Sequence, residues 1–301
     1  MSSQEHFAEE RLSGTERERS REVSLLQLSP AAQTSEKRPC VALMGEFSAG
    51  KSTLSNLLIG AEALPVNVTA TQLPPVWIAR GTEAPYLVDL DGQEHDIDLA
   101  ELERVSVEGT NHIRIFHDAP RLAEFDLIDM PGISDPNMAA DVWQRVIHHA
   151  DVVIWCSHAT QAWRQSEAAV WSTMPEELYD RSILLLTRMD KILSDRDQAR
   201  VVKRVQSETK GLFRKVLPVS LLRALDAEEG SDIWDTCGAT ELVTSLAELV
   251  HEVETGETRP LAPMASGETP APVAEDAVDT PRPKSQRIVM PTRVRPRPLQ
   301  S

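Results

Sequence analysis

The sequence predicts an α/β fold in which a mostly parallel sheet lies between two layers of helices. Short apolar strands alternate with helical patterns from residue 39 to about 255, and such alternation favours parallel strands covered on both faces. A glycine-rich loop between the first strand and the first helix is the second observation. The chain has 301 residues, 41% of them apolar, which is enough for a large core.

The first part of the alternating region contributes mainly strands. CVALMG is a short apolar run that ends in glycine, which indicates a buried strand. KSTLSNLLIG has the apolar spacing of a helix and a closing glycine. Asp91-Gly92 predicts a hairpin turn followed by a solvated, acidic stretch. Four further runs predict strands: VWIAR (76–80), YLVDL (86–90), IRIFHD (113–118) and FDLIDM (125–130).

The second part alternates helices and strands more regularly. Helical patterns cover residues 135–150, 165–174, 195–213 and 240–254. Strand patterns cover residues 151–156, 182–187 and 216–220. These patterns complete the α/β region.

The chain divides into three segments. Residues 1–37 are polar and charged, with a partial apolar stripe, and predict a short, partly helical segment. Residues 38–255 carry the α/β pattern. Residues 256–301 predict a disordered tail, because nine of the chain's 20 prolines lie between residues 260 and 298.

The tail is basic at its end, where residues 281–301 hold six basic residues and no acidic one. A basic, proline-rich end can dock on acidic surfaces, on SH3-like grooves or on anionic lipid. The alternative is a solvated tail that makes no specific contact.

Charge and cysteine content narrow the functional classes. The formal net charge of −16 argues against a protein that covers nucleic acid or anionic lipid with its whole surface. Cys40, Cys156 and Cys237 lack the spacing of a zinc site, so we expect buried, reduced thiols. We see no signal-peptide pattern and no apolar run of membrane-spanning length. We therefore expect a cytoplasmic protein, with any membrane contact peripheral and at the inner face.

The glycine-rich loop predicts a phosphate-binding site. GEFSAGKST fits the pattern G-x-x-x-x-G-K-[ST] and lies where a strand ends and a helix begins. Small residues let backbone N–H groups approach a phosphate, the lysine adds a positive charge, and the serine hydroxyl suits Mg²⁺. Together with the α/β pattern, this loop predicts a three-layer P-loop NTPase sandwich. The predicted nucleotide contacts in this loop are Gly45, Glu46, Phe47, Ser48, Ala49, Gly50, Lys51, Ser52 and Thr53.

Three later motifs, FDLIDMPG, LLLTRMDKI and LPVS, together favour a guanine nucleotide. FDLIDMPG places Asp129 where it can hold a magnesium water, and Gly132 where its N–H can sense the γ-phosphate. LLLTRMDKI places Asp190 at another strand end, where a carboxylate can accept from guanine N1–H and N2–H₂. Adenine has neither donor and would leave the carboxylate unpaired. Thr187, Arg188 and Ser220 complete the set predicted around the base.

In these motifs the sequence resembles the GTPase domain of the dynamin superfamily, especially its bacterial members. GEFSAGKSTLSNLLIG, DMPG, TRMD and the phrase ADVVIWCSHATQAWRQSE carry the resemblance, which covers residues 38–255. It implies a Mg²⁺-dependent enzyme that hydrolyses GTP to GDP and phosphate. It also implies activation by pairing of two GTPase domains, as a homodimer or with a related partner, and use of a monovalent cation, K⁺ or Na⁺.

The resemblance also implies residue roles. Ser48 matches the serine that helps hold the monovalent cation, and Lys51 matches the phosphate-binding lysine. Thr71 matches the threonine that contacts magnesium and orients water, although the stretch LPVNVTATQLP leaves Thr69 and Gln72 as alternatives. The implied catalytic residues are Ser48, Lys51 and Thr71, and the implied magnesium ligands are Ser52, Thr71 and Asp129.

Several departures from the family pattern affect these expectations. Arg188 replaces the usual lysine, and Phe47 replaces a glutamine of eukaryotic members. Ile133 follows DMPG where no glutamine can polarise water, so we expect slow intrinsic turnover. Residues 256–301 are too proline-rich to form a helical stalk, so we expect no stalk from this chain, and a stalk-bearing partner is one way to supply it.

Two alternatives to a dynamin-like GTPase remain open from the sequence. One is a low-turnover GTP-binding adaptor that acts through its tail. The other is a ribosome-assembly type of GTPase. The acidic net charge counts against it, because we expect so acidic a chain to have no nucleic-acid partner.

Overall fold

The computed structural model of the chain describes residues 38–60, 73–133 and 142–257. The N-terminal segment 1–37, the three switch candidates Thr69, Thr71 and Gln72, and the tail from residue 258 onward lie outside the described residues.

The described residues form one nine-stranded sheet. The strands are β1 (Cys40–Gly45), β2 (Val76–Arg80), β3 (Tyr86–Asp89), β4 (Glu94–Asp96), β5 (Thr110–His117), β6 (Asp126–Asp129), β7 (Val152–His158), β8 (Ser182–Thr187) and β9 (Lys215–Pro218). Their order across the sheet is β4-β3-β5-β2-β6-β1-β7-β8-β9. Strands β6, β1, β7, β8 and β9 run parallel to one another, while β2 is antiparallel to β6 and β3 is antiparallel to both β4 and β5.

Helices cover both faces of this sheet, which confirms the predicted three-layer P-loop NTPase sandwich with a mostly parallel sheet. The described residues contain six α-helices: α1 (Lys51–Ile59), α2 (Gln165–Trp171), α3 (Asp195–Glu208), α4 (Leu221–Leu225), α5 (Asp232–Thr236) and α6 (Ala239–Thr255).

Two apolar cores follow from the alternation of side chains along the strands. Every residue of β1 is buried, because its successive side chains point to opposite faces and both faces are covered. Val41 and Leu43 pack in the core that includes Leu54 of α1 and Leu246 of α6. Ala42 and Met44 belong to the second core, which lies under α2 and α3. Cys40, Cys156 and Cys237 are buried cysteines, as predicted.

The predicted helix over residues 135–150 is wrong in the part that the structure describes. Residues 134–141 lie outside the description, and the remainder forms two 3-10 turns, Trp143–Arg145 and Ile147–His149. Their N–H groups bond to carbonyls three residues back, and Val146 between them leaves helical geometry at φ −123° and ψ −9°. The apolar spacing correctly indicated buried residues, since Trp143, Val146 and Ile147 are buried. It did not distinguish an α-helix from short 3-10 turns, which can bury the same side chains.

Smaller differences concern short elements. The hairpin turn at Asp91-Gly92 is confirmed, with Gly92 at φ +80°, but its second strand, β4, was not predicted because its residues EHD are all exposed. Helices α4 and α5 have five residues each, which is too short for a helical period to show in the sequence. Among the described helices, none combines the length and the apolar character needed to cross a membrane.

Candidate functional site

The predicted phosphate loop lies between the end of β1 at Gly45 and the start of α1 at Lys51. Gly45 has φ +134°, and a Cβ on it would lie 2.1 Å from the carbonyl oxygen of Cys156 in the neighbouring strand β7. Gly50 caps α1 in the left-handed conformation, at φ +95°. Both ends of the loop therefore require glycine, one for space and the other for its backbone conformation.

Lys51 places its charge inside this loop. Its side chain is buried, and Nζ donates to the carbonyl oxygens of Gly45, at 3.2 Å, and Glu46, at 3.0 Å. Ser48 has the left-handed conformation at φ +58°, which is uncommon outside glycine. Phe47, beside it, exposes 65% of its surface at the tip of the loop.

Asp129 and Gly132 lie beside the loop, because β6 pairs with β1 in parallel register and Leu43 faces Asp129. A Cβ on Gly132 would lie 2.8 Å from Cα of Phe47, so the turn after β6 touches the phosphate loop directly. Ile133 N–H donates to the carbonyl of Gly45 at 3.2 Å.

The Asp129 carboxyl is buried, and its surroundings change its pKa. Burial raises the pKa from its ordinary value of 3.8 to about 6, although Lys51 and a hydrogen bond with Ser52 act in the opposite direction. A hydroxyl and a carboxylate side by side are hard oxygen donors of the kind that Mg²⁺ prefers, so Ser52 and Asp129 fit this ion. The third predicted ligand, Thr71, lies outside the described residues.

The predicted base-binding residues follow β8 and β9 at the same edge of the sheet. Thr187 is fully buried, and its Oγ1 donates to the carbonyls of Ala49, at 2.7 Å, and Ser157, at 3.3 Å. Arg188 adopts the left-handed conformation, at φ +56°, and its Nη2 donates to the carbonyl of Ser48 at 2.9 Å. The strand end that precedes Asp190 is thus bonded to the phosphate loop at two points.

Asp190 and Ser220 meet through a hydrogen bond, in which Ser220 Oγ donates to the Asp190 carboxylate at 2.9 Å. Burial alone would raise the pKa of Asp190, but the Ser220 bond, the backbone and Lys191 outweigh burial and lower the pKa. The carboxylate must be ionised if it is to accept hydrogen bonds from two guanine N–H groups.

The structure therefore brings the predicted residues of the described regions to one edge of the sheet, at the carboxyl ends of β1, β6, β8 and β9. Thr53 lies in the first turn of α1, directly after Ser52, and is half-buried. Such an edge, between a parallel sheet and its helices, is where open α/β folds bind ligands.

Sequence reasoning missed a polar network beneath this edge. The Glu46 carboxylate accepts from Arg164, at 2.9 Å, and from Ser166, at 2.6 Å. Glu167 is 2% exposed and accepts from Trp155 Nε1, Ser157 Oγ and the N–H of Arg164. The only signal for it was a glutamate at the third position of a predicted helix, which is typical of a capping box.

Comparison with known proteins agrees with this geometry. A family model described as the dynamin family matches residues 41–189. Dynamin-like protein 2 from Campylobacter jejuni (strain 81-176) is 26% identical over 199 residues, which are 64% of this chain and 32% of that protein. GTPase Era from Aquifex aeolicus is 21% identical over 196 residues, which are 63% of this chain and 53% of that protein. The chain thus spans about a third to about half of the length of these relatives.

Solved structures show the same fold. One chain of an oligomerised bacterial dynamin pair, described as sensing and tethering membranes, superposes with a TM-score of 0.57 at 17% identity. The superposition covers 73% of this chain and 38% of that chain. A second structure of such a pair gives a TM-score of 0.51 at 19% identity. In residues 41–189, therefore, the chain is similar to the dynamin family.

Proposed function

We propose that residues 38–255 form a GTPase domain that binds GTP and hydrolyses it to GDP and phosphate. The observation that carries this proposal is the direct bonding between the phosphate loop and the base-side residues. Thr187 and Arg188 hold the carbonyls of Ala49 and Ser48, and Asp190 follows two residues later with its carboxylate oriented by Ser220. One nucleotide can therefore engage both ends of the site.

The choice of guanine rests on the chemistry of Asp190. Its pKa is lowered and one of its oxygens is held by Ser220, which leaves a carboxylate that accepts hydrogen bonds and cannot donate them. Guanine offers two donors at N1 and N2, whereas adenine offers neither, so an adenine in the same place would leave the charge unpaired.

The phosphate end supplies the groups that phosphoryl transfer needs. Lys51 and the loop N–H groups would bind the phosphates, and Ser52, Thr71 and Asp129 would hold Mg²⁺, which neutralises charge on the transferred phosphoryl group. Thr71, with Thr69 and Gln72 as alternatives, would orient the attacking water. Ile133 offers no group that could polarise water, so slow intrinsic turnover is part of the proposal.

Activation by pairing of two GTPase domains is the second part of the proposal. The match of residues 41–189 to the dynamin family and the fold shared with a bacterial dynamin pair support it. Ser48 and Phe47 lie at the exposed tip of the loop, where a second domain would meet them. Ser48 would help to hold K⁺ or Na⁺.

We also propose a stalk-bearing partner and peripheral membrane contact through the basic tail. The similar bacterial dynamin pair is described as tethering membranes, which supports this part of the proposal.

Phosphate release from GTP tests the proposed reaction. We expect the purified chain with Mg²⁺ to release phosphate from GTP and not from ATP, and Lys51→Ala to reduce the rate to background because the phosphates lose their positive partner. Tight GTP binding with background release from the wild type would support the low-turnover adaptor instead.

Vesicle co-sedimentation with and without residues 281–301 tests the tail, and unchanged sedimentation would refute membrane contact through it.

A further inference from the structure

The phosphate loop contains an acidic residue at its second position, which is unfavourable beside a triphosphate. The backbone carbonyl of Glu46 accepts a hydrogen bond from Lys51 Nζ at 3.0 Å, so this residue is in direct contact with the charge that would bind the phosphates. Its carboxylate adds a negative charge to the same loop, and like charges repel. A loop that binds a polyanion must therefore compensate this carboxylate.

The structure shows how the charge of Glu46 is compensated. Oε2 accepts from Arg164 Nη1 at 2.9 Å, and Oε1 accepts from Ser166 Oγ at 2.6 Å. The Glu46 side chain keeps only 14% of its surface exposed, while that of Arg164 keeps 45%. Both carboxylate oxygens thus have partners at the start of α2, and one of these partners carries a full positive charge.

Arg164 does not reach Glu46 from a flexible surface position. Its backbone N–H donates to Glu167 Oε2 at 2.9 Å, and this buried carboxylate also accepts from Trp155 and Ser157. Trp163, directly before it, is in the left-handed conformation and donates its N–H to Ser157 Oγ at 3.1 Å. The buried network therefore fixes the backbone from which the guanidinium extends.

We propose that Arg164 is a positioning residue that neutralises Glu46, so that a phosphate loop with an acidic residue can hold a nucleoside triphosphate. The inference rests on the proposed function, since it needs a nucleotide in the loop. Loss of Arg164 leaves the carboxylate in the phosphate loop with the Ser166 hydroxyl as a partner but without a positive charge. Removal of one member of an ion pair is more harmful than removal of both. The penalty grows with phosphate charge, so GTP loses more affinity than GDP.

A double-mutant cycle on the full chain tests this role, with GTP and GDP affinities measured by calorimetry. The variants are Arg164→Ala, Glu46→Gln and the two combined. Arg164→Ala is expected to weaken GTP about five- to tenfold and GDP less, given the partial exposure of the pair. The combined variant is expected to recover most of that loss. Arg200→Ala is the matched control, because it removes the same charge from an exposed pair with Asp197 on α3.

The outcomes separate this inference from the proposed function. A merely structural role of Arg164 would leave the combined variant as weak as Arg164→Ala, and that result would overturn the inference. If Arg164→Ala fails to fold, Arg164→Gln keeps the length and a donor while removing the charge, and the same pattern is expected. Equal GTP affinity of the wild type, both Arg164 variants and the control overturns the inference alone. A folded wild type without GTP affinity overturns both.

Discussion

At the scale of single residues, the site depends on carboxylates whose surroundings differ. Asp129 is buried beside Lys51, and its pKa is raised to about 6, whereas the pKa of Asp190 is lowered. Glu46 is neutralised by Arg164. These three acids lie at one sheet edge, and their proposed tasks differ: Asp129 would hold the metal ion, Asp190 would bind the base, and Glu46 is tolerated in the phosphate loop because it is paired.

Asp129→Asn is expected to stabilise the protein when nucleotide and Mg²⁺ are absent. The folded-state pKa of about 6 exceeds the ordinary value of 3.8, so the folded protein binds the proton more tightly and stability is lost as pH rises from about 4 to 6. The variant lacks this loss and should gain about 1–3 kcal/mol in unfolding free energy at pH 7. Urea unfolding at pH 5 and pH 7 should show a larger gain at pH 7. A gain that is equal at both values, or absent, contradicts the assignment.

Asp190→Asn is expected to lower GTP affinity by about 100-fold, because two charge-assisted hydrogen bonds are lost and the new amide donor faces guanine donors. Calorimetric titration with GTP measures the change. Asp226→Asn is a suitable control, since Asp226 is exposed beyond α4 and carries the same charge. Equal affinities of the two variants would mean that another residue selects the base.

Motif spacing predicted which residues lie at the sheet edge. Gly45, Asp129 and Asp190 each lie at or just after a strand end, and Lys51 begins the helix that follows the phosphate loop. The Glu46–Arg164 pair could not be predicted, because its members are 118 residues apart and meet only after the sheet has formed.

At the scale of elements, the segment from β7 to α2 joins the core to the site. Glu167, in the first turn of α2, collects three hydrogen bonds from Trp155 and Ser157 of β7 and from Arg164. Thr187 at the end of β8 then bonds to the carbonyl of Ser157. Neighbouring strand ends and the phosphate loop are therefore held together by buried polar bonds, which are specific in geometry and costly to break.

Glu167→Ala is expected to destabilise the protein by about 2–4 kcal/mol, because three donors, two of them on β7, lose their acceptor. Glu167→Gln keeps one acceptor oxygen and should lie between the alanine variant and the wild type. Denaturant unfolding measures both. Glu177→Ala, at an exposed position, should change stability little. A Glu167→Ala variant as stable as this control would show that the network does not support the fold.

Strands with an apolar run and longer helices could be predicted, whereas five-residue helices could not. The buried strands are apolar runs and α3 has a helical period, and each appears where the sequence placed it, although α3 ends at Glu208 and not at residue 213. Residues 142–150 show why apolar spacing alone misleads, since two 3-10 turns bury the same side chains that a helix would. Five-residue helices such as α4 have too few turns to produce a period at all.

At the scale of the whole molecule, the fold directs the phosphate loop and the base-side residues to one exposed edge of a nine-stranded sheet. The tip of the loop at Phe47 stays exposed at that edge. Pairing of two such edges would cover both nucleotides, which is the arrangement that the proposed activation requires.

GTP turnover per molecule is expected to rise with protein concentration and to be higher in K⁺ than in a large inert cation. Pairing is a second-order event, so the paired fraction grows with concentration. Phosphate release measured over a hundredfold range of concentration checks this. If turnover per molecule stays constant over this range in both salts, pairing does not activate hydrolysis, and each domain hydrolyses GTP as a monomer.

The proposed function requires that this sheet edge bind a guanine nucleotide through the phosphate loop and select the base through Asp190. Retention of labelled GTP by the folded full chain with Mg²⁺ tests it most directly, with ATP in parallel and Lys51→Ala as the variant. We expect the wild type to retain GTP, unlabelled GTP to displace it and excess ATP not to displace it. We expect Lys51→Ala to retain none. Folded wild-type protein that retains no GTP, or retains ATP equally well, would contradict it.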